Sequence, residues 1–146
     1  MLEGLRAALP GVEVIHVAGS AMEGDECGGA SQALEAARAS DAVVLCIGEP
    51  KTWSGEAASR TEIALPRGQQ TLCDTLLQSG KPVTTVIFSG RPLAIPDIIA
   101  RSAAVLAAWF PGAQAGHALA DILTGRDEPT GRLAITWPRS VGQIPI

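Results

Sequence analysis

Three short apolar runs limit what this chain can fold into. Residues 42–47, 82–88 and 103–108 are rich in aliphatic and β-branched side chains and are bounded by Asp, Gly or Pro. None shows the polar alternation of a half-wetted strand, so each is expected to be buried on both faces, with 42–47 lying centrally in a parallel sheet. Helical patterns separate them. Residues 31–39 place Leu34 and Ala37 inward, 68–78 end at Gly80, and 114–123 end at Gly125. Strands that alternate with helices are joined by right-handed crossovers. The expected fold is therefore α/β: a doubly wound, mostly parallel sheet with helices on both faces, a three-layer α/β/α sandwich. Around this frame the periodicity predicts a helix over 2–9, a strand over 12–17 and a short helix within 91–100, where Pro92 and Pro96 interrupt. A last strand is expected over 132–136. The opening helix has no strand before it to cross over from, so the domain is expected to be partial.

The 146 residues, 47% of them hydrophobic, suffice for one buried core, and no composition shift marks a boundary within the chain. Eleven Lys and Arg against fifteen Asp and Glu give a net charge of -4. That balance offers no basic face for phosphate backbones or anionic lipid, so neither nucleic acid nor membrane is an expected partner. The apolar runs fall well short of the roughly 20 residues needed to span a bilayer. The start of the chain lacks the pattern of a secretory signal. Cys27, Cys46 and Cys73 are odd in number and widely spaced, which excludes a disulfide framework and a paired CxxC metal site. Cys46, inside an apolar run, is expected to be a small buried residue. Without any Asn, the N-glycosylation acceptor cannot occur.

Ligands of open α/β sheets meet the loops at the carboxyl ends of the strands. Neither G-x-G-x-x-G nor G-x-x-x-x-G-K-[ST] follows any predicted strand, which removes the usual nucleotide-binding loops. Gly80-Lys81 precedes a strand instead of opening a helix. His16 and His117 lack HExxH spacing, and His117 reads as a helix-surface partner of Asp121 four residues on. No G-x-S-x-G elbow occurs, and the strands over 42–47 and 82–88 end without a receiver's aspartate. The long loop over 48–66 concentrates what remains: Glu49, Lys51, Trp53, Glu56 and Arg60 at the sheet rim. A loop carboxyl group beside an aromatic ring suits general acid catalysis of glycoside cleavage, and an indole can stack on a sugar face. The residues alone also allow a plainer reading, a solvated Glu56–Arg60 pair in a helical turn.

The motifs in order narrow the choice. Gly48-Glu49, Ser54-Gly55-Glu56-Ala57, Ser59-Arg60 and Ile63-x-Leu65-Pro66 are followed by Gly80-Lys81-Pro82-Val83, Ser89-Gly90-Arg91-Pro92-Leu93 and Ala108-Trp109-Phe110-Pro111-Gly112. Ala120-Asp121-Ile122-Leu123, Pro129-Thr130-Gly131-Arg132-Leu133 and Trp137-Pro138 through Ile144-Pro145 complete the series. From about Ala42 onward the chain resembles the second, α/β domain of family 3 glycoside hydrolases, the β-glucosidases. That resemblance implies a retaining β-glucosidase in which an N-terminal (β/α)8 barrel, absent from this chain, carries an aspartate nucleophile. The α/β domain then lends a loop glutamate as acid/base. It places Glu56 at that position, with Glu49 as the runner-up; Trp53 and Arg60 of the same loop are the expected substrate contacts. Gly90-Arg91-Pro92 and Trp109 read as scaffold.

The resemblance implies a carbohydrate substrate and needs neither metal nor organic cofactor. Bacterial relatives are often periplasmic or secreted, although the chain itself carries no address. Taken alone, the chain is expected to be inactive, and apolar surface meant for the barrel is expected to promote a homodimer or aggregation. The rival expectation is a stand-alone α/β binding or interaction module, favoured by the start at Met1.

Overall fold

The computed structural model describes residues 1–143; the tail of the last motif block, Ile144-Pro145, lies outside them. The chain forms two compact units, each built from two stretches of sequence. The larger takes residues 17–110 and 135–146, the smaller 1–16 and 111–134.

In the larger unit, β1 (Val43–Gly48), β2 (Val83–Phe88) and β3 (Ala104–Ala107) form a sheet in the order β1-β2-β3, parallel throughout. The α/β fold with a parallel open sheet therefore stands. The order places β2 centrally, so β1 and β3 are edge strands of the described sheet, which corrects the expectation that 42–47 would be central. Burial follows position. β2 is buried along most of its length, whereas β1 turns Leu45 and Ile47 inward and leaves Val44 and Cys46 exposed, and β3 exposes Val105. Continuous apolar sequence thus did not distinguish a doubly covered strand from an edge strand, and the expected burial of Cys46 is corrected.

The inward face of β1 and β2 packs against α2 (Ala30–Ala39), α3 (Arg67–Leu76) and α4 (Pro96–Arg101). Ala33 and Ala37 of α2, Leu72, Cys73 and Leu76 of α3 and Ile98 of α4 join Leu45, Ile47, Val83 and Ile87 in one core. α2 turns Ala33 inward more fully than Leu34. Alanines on this face let the helix lie close to its neighbours. Thr85, fully buried on the same face of β2, hydrogen-bonds the Ser102 hydroxyl at the end of α4 at 2.8 Å. Trp109 and Trp137 pack with centroids 6.0 Å apart, in keeping with the scaffold role expected of Trp109.

The smaller unit pairs α1 (Leu2–Ala8) with α5 (Ala115–Leu123) through Leu5, Ala8 and Ala120. Gly4 permits the close approach, since a Cβ there would overlap the Gly116 carbonyl. Neither 12–17 nor 132–136 joins a sheet, correcting two predicted strands. Val12, Ile15, Leu133 and Ile135 are exposed, and period-2 apolarity without a neighbouring strand to complete its hydrogen bonds does not make a strand. Asp121 pairs with Arg126 at 3.6 Å, replacing the expected His117 pairing.

Candidate functional site

β1 ends in a sharp turn that only glycine can make. Gly48 has φ 148°, and a Cβ there would overlap the Phe88 carbonyl of the neighbouring strand. The backbone polar groups of Gly48 are taken up by one side chain. Gln69, buried at the start of α3, accepts from the Gly48 N–H and donates to the Gly48 carbonyl, both at 2.8 Å, and donates also to the Met22 carbonyl at 2.8 Å. An amide is suited to this because it presents a donor and an acceptor side by side. The loop over 19–29 is tied in here as well, with the Gly68 N–H bonded to the Gly24 carbonyl at 3.0 Å.

The next residue, Glu49, is 3% exposed. Its N–H continues the ladder to the Phe88 carbonyl at 2.9 Å. Its carboxylate meets Arg91 Nε at 3.1 Å through Oε2 and Arg60 Nε at 4.0 Å through Oε1. Ser89 donates its hydroxyl to Oε2 at 3.1 Å and accepts the Arg91 N–H at 3.2 Å. A buried carboxylate is tolerated only when paired, and here cations from two loops compensate it.

Beyond Glu49 the chain makes one 3-10 turn at Lys51–Trp53 and then runs without regular structure to α3. Arg91 also donates to the Trp53 carbonyl and, at 3.5 Å, to the Ser54 hydroxyl. Arg60 lies over the Trp53 ring, its guanidinium carbon 3.6 Å from the centroid. Arg60 therefore faces Trp53 and Glu49, and the segment over 56–60 is not helical, so the plain Glu56–Arg60 pairing is not the arrangement found. Glu56 itself is exposed, with no partner among the described hydrogen bonds and ion pairs. It sits between two residues of positive φ, Gly55 at 139° and Ala57 at 58°, in a turn closed by the Ala58 N–H on the Gly55 carbonyl at 3.2 Å. Positive φ at the third residue is the mark of a type II turn, which Ala adopts at a cost on the order of 1 kcal/mol.

Of the residues singled out by sequence, the structure joins Glu49, Trp53 and Arg60 in one cluster and sets Glu56 apart at the loop tip. Ser89, Arg91 and Gln69 were missed as members of the site. Arg91 was read as scaffold; the available signal was an arginine at the carboxyl end of β2, the strand beside β1. Gly90, read as a tight-turn residue, is required instead by proximity, because a Cβ there would overlap the Ser54 hydroxyl and press on the Phe110 ring.

A cleft of about 230 Å³ opens beside Gly48 and Glu49, lined also by Met22, Cys46 and Phe88. It is below the roughly 300 Å³ at which small-molecule pockets begin. Among the described residues, no group of three His, Cys, Asp or Glu side chains is placed to hold a metal ion. No helix among them is long and apolar enough to cross a membrane.

The family model described as glycosyl hydrolase family 3 C-terminal domain matches residues 1–146. A periplasmic beta-glucosidase of Salmonella typhimurium is 44% identical over 115 residues, covering 79% of this chain and 15% of that protein. A beta-xylosidase of Formosa agariphila is 34% identical over 147 residues, covering 100% of this chain and 20% of that protein. The crystal structure of a beta-glucosidase from Listeria innocua superposes with a TM-score of 0.85 at 37% identity, covering 99% of this chain and 20% of the other. The chain thus spans about one fifth or less of the length of these relatives.

Proposed function

We infer what this chain does from one premise: it belongs to the glycosyl hydrolase family 3 C-terminal domains. We propose that it is the part of a retaining β-glucosidase that supplies the acid/base loop, with Glu56 as the proton donor. The observation that carries this reading is the contrast at the rim. Glu49 is buried and compensated by two arginines, whereas Glu56 is exposed, free of those arginines and held at the tip of a turn. Only the second can approach a leaving oxygen. Relatives named beta-glucosidase and beta-xylosidase support β-glycoside chemistry, and the terminal β-linked glucosyl group is our choice between them.

The rest of the enzyme, in this reading, is a (β/α)8 barrel bearing an aspartate nucleophile. Retaining hydrolysis needs two carboxyl groups about 5 to 5.5 Å apart. The aspartate attacks the anomeric carbon while Glu56 gives its proton to the departing oxygen, and the glycosyl-enzyme ester forms as the glycosidic bond breaks. Glu56, now a carboxylate, then takes a proton from water as that water displaces the aspartate. Trp53, stacked with Arg60, is assigned to the sugar nearest the loop.

Two measurements test this. In the enzyme that carries this chain, Glu56→Gln should slow substrates with poor leaving groups on the order of 10²- to 10⁴-fold while largely sparing activated aryl glucosides. Equal losses on both would remove the assignment. The 146-residue chain alone should release no chromophore from a chromogenic β-glucoside, and turnover there would show that it needs no second domain. Exposed Val44, Val105 and Phe110 lead us to expect self-association of the isolated chain, a homodimer or larger, read by sedimentation.

A further inference from the structure

The Glu49 carboxylate is divided between the two ends of one arc of chain. Oε2 faces Arg91, which reaches on to the Trp53 carbonyl and the Ser54 hydroxyl, immediately before Gly55 and Glu56. Oε1 faces Arg60, which lies over the Trp53 ring and closes the same arc from its far end. Residues 55–59 are therefore a short bridge whose two abutments rest on one buried carboxylate. We propose that Arg91, held by Glu49, is the positioning residue that determines where the Glu56 turn stands; the proposal rests on Glu56 being the acid/base.

Three features favour a positioning role over a purely stabilising one. Arg91 comes from the segment after β2, so it ties the loop to a strand other than the one it leaves. Its guanidinium pairs with a carboxylate through Nε while its far nitrogen donates to a carbonyl and a hydroxyl, a spread that a planar fork covers and an ammonium on a flexible stem does not. Gly90, beside it, leaves space that Ser54 fills, with the Phe110 ring close by, so a side chain there would push the arc out of place. Neither arginine touches Glu56, and the effect on it is transmitted through Ser54 and Gly55.

Arg91→Lys keeps a cation near Glu49 but loses the fork, and it separates the alternatives. In the 146-residue chain, hydrogen exchange of a peptide covering 51–60 should quicken on the order of tenfold, with peptides from β2 and α3 unchanged. In the enzyme carrying this chain, kcat for alkyl glucosides should fall on the order of tenfold, with dinitrophenyl glucoside turnover and KM nearly unchanged. Unchanged exchange over 51–60, or equal losses for both leaving groups, overturns the proposal. Should Arg91→Lys fail to fold, Gly90→Ala displaces Ser54 without removing either charge and must give the same leaving-group split. The two readings fail differently. If Glu56→Gln shows no leaving-group dependence while exchange still responds to Arg91→Lys, the acid/base assignment falls; if Glu56→Gln shows it and Arg91→Lys changes neither exchange nor the split, the positioning role falls alone.

Discussion

The floor of the rim loop and its tip lie seven residues apart in sequence at Glu49 and Glu56, yet they are physically opposite. At the floor every polar atom of Gly48 is engaged by Gln69, and the Glu49 carboxylate is buried under two guanidiniums. At the tip, Glu56 projects into solvent from a turn that Ala57 strains. The same side chain is thus sealed and paired in one place and open to solvent in the other. Burial, not residue type, separates the two, because a desolvated carboxylate must stay paired and an exposed one need not.

The sharpest break of this contrast is at Gly48. Gly48→Ala places a Cβ into the Phe88 carbonyl at a φ that other residues avoid, and we expect a loss of about 3 kcal/mol or more, seen as insoluble chain or a collapsed melting transition. Native-like melting of that variant would mean the floor is soft. Next, Gln69→Leu strands the Gly48 N–H and carbonyl in a buried place, and chemical denaturation should register about 2 to 4 kcal/mol. A smaller effect comes from Cys73, on α3 beneath the floor, whose thiol burial pushes up to about 12 from 9.0. Because the folded state holds this proton more tightly, its contribution is intact below pH 9 and lost as pH rises from there towards 12. By pH 10 the loss should reach about 1 kcal/mol, and it should be missing from the pH–stability curve of Cys73→Ala. At the tip, Glu56→Gln should leave the melting temperature within the equivalent of about 0.5 kcal/mol. A large destabilisation there would erase the distinction between floor and tip.

How far the site was legible follows the same line. The loop, its position after the strand over 42–47, and Glu56, Glu49, Trp53 and Arg60 as its notable residues could all be read from composition and motif order. The Arg60–Trp53 stack and the Glu49–Arg91 pair could not. Arg91 stands 42 positions after Glu49, and only the parallel register of Gly48 with Phe88 brings the two loops side by side.

Sequence alone determined the alternation of helix and strand, and hence the α/β class, because apolar periodicity records how much of each segment must leave water. It also determined family membership through the ordered motifs. Tertiary structure decided which strand is central, that 12–17 and 132–136 remain outside the sheet, and which of two glutamates is sealed beneath arginines. These are matters of which segments become neighbours, and a side chain's solvation is a property of its neighbours rather than of its place in the chain.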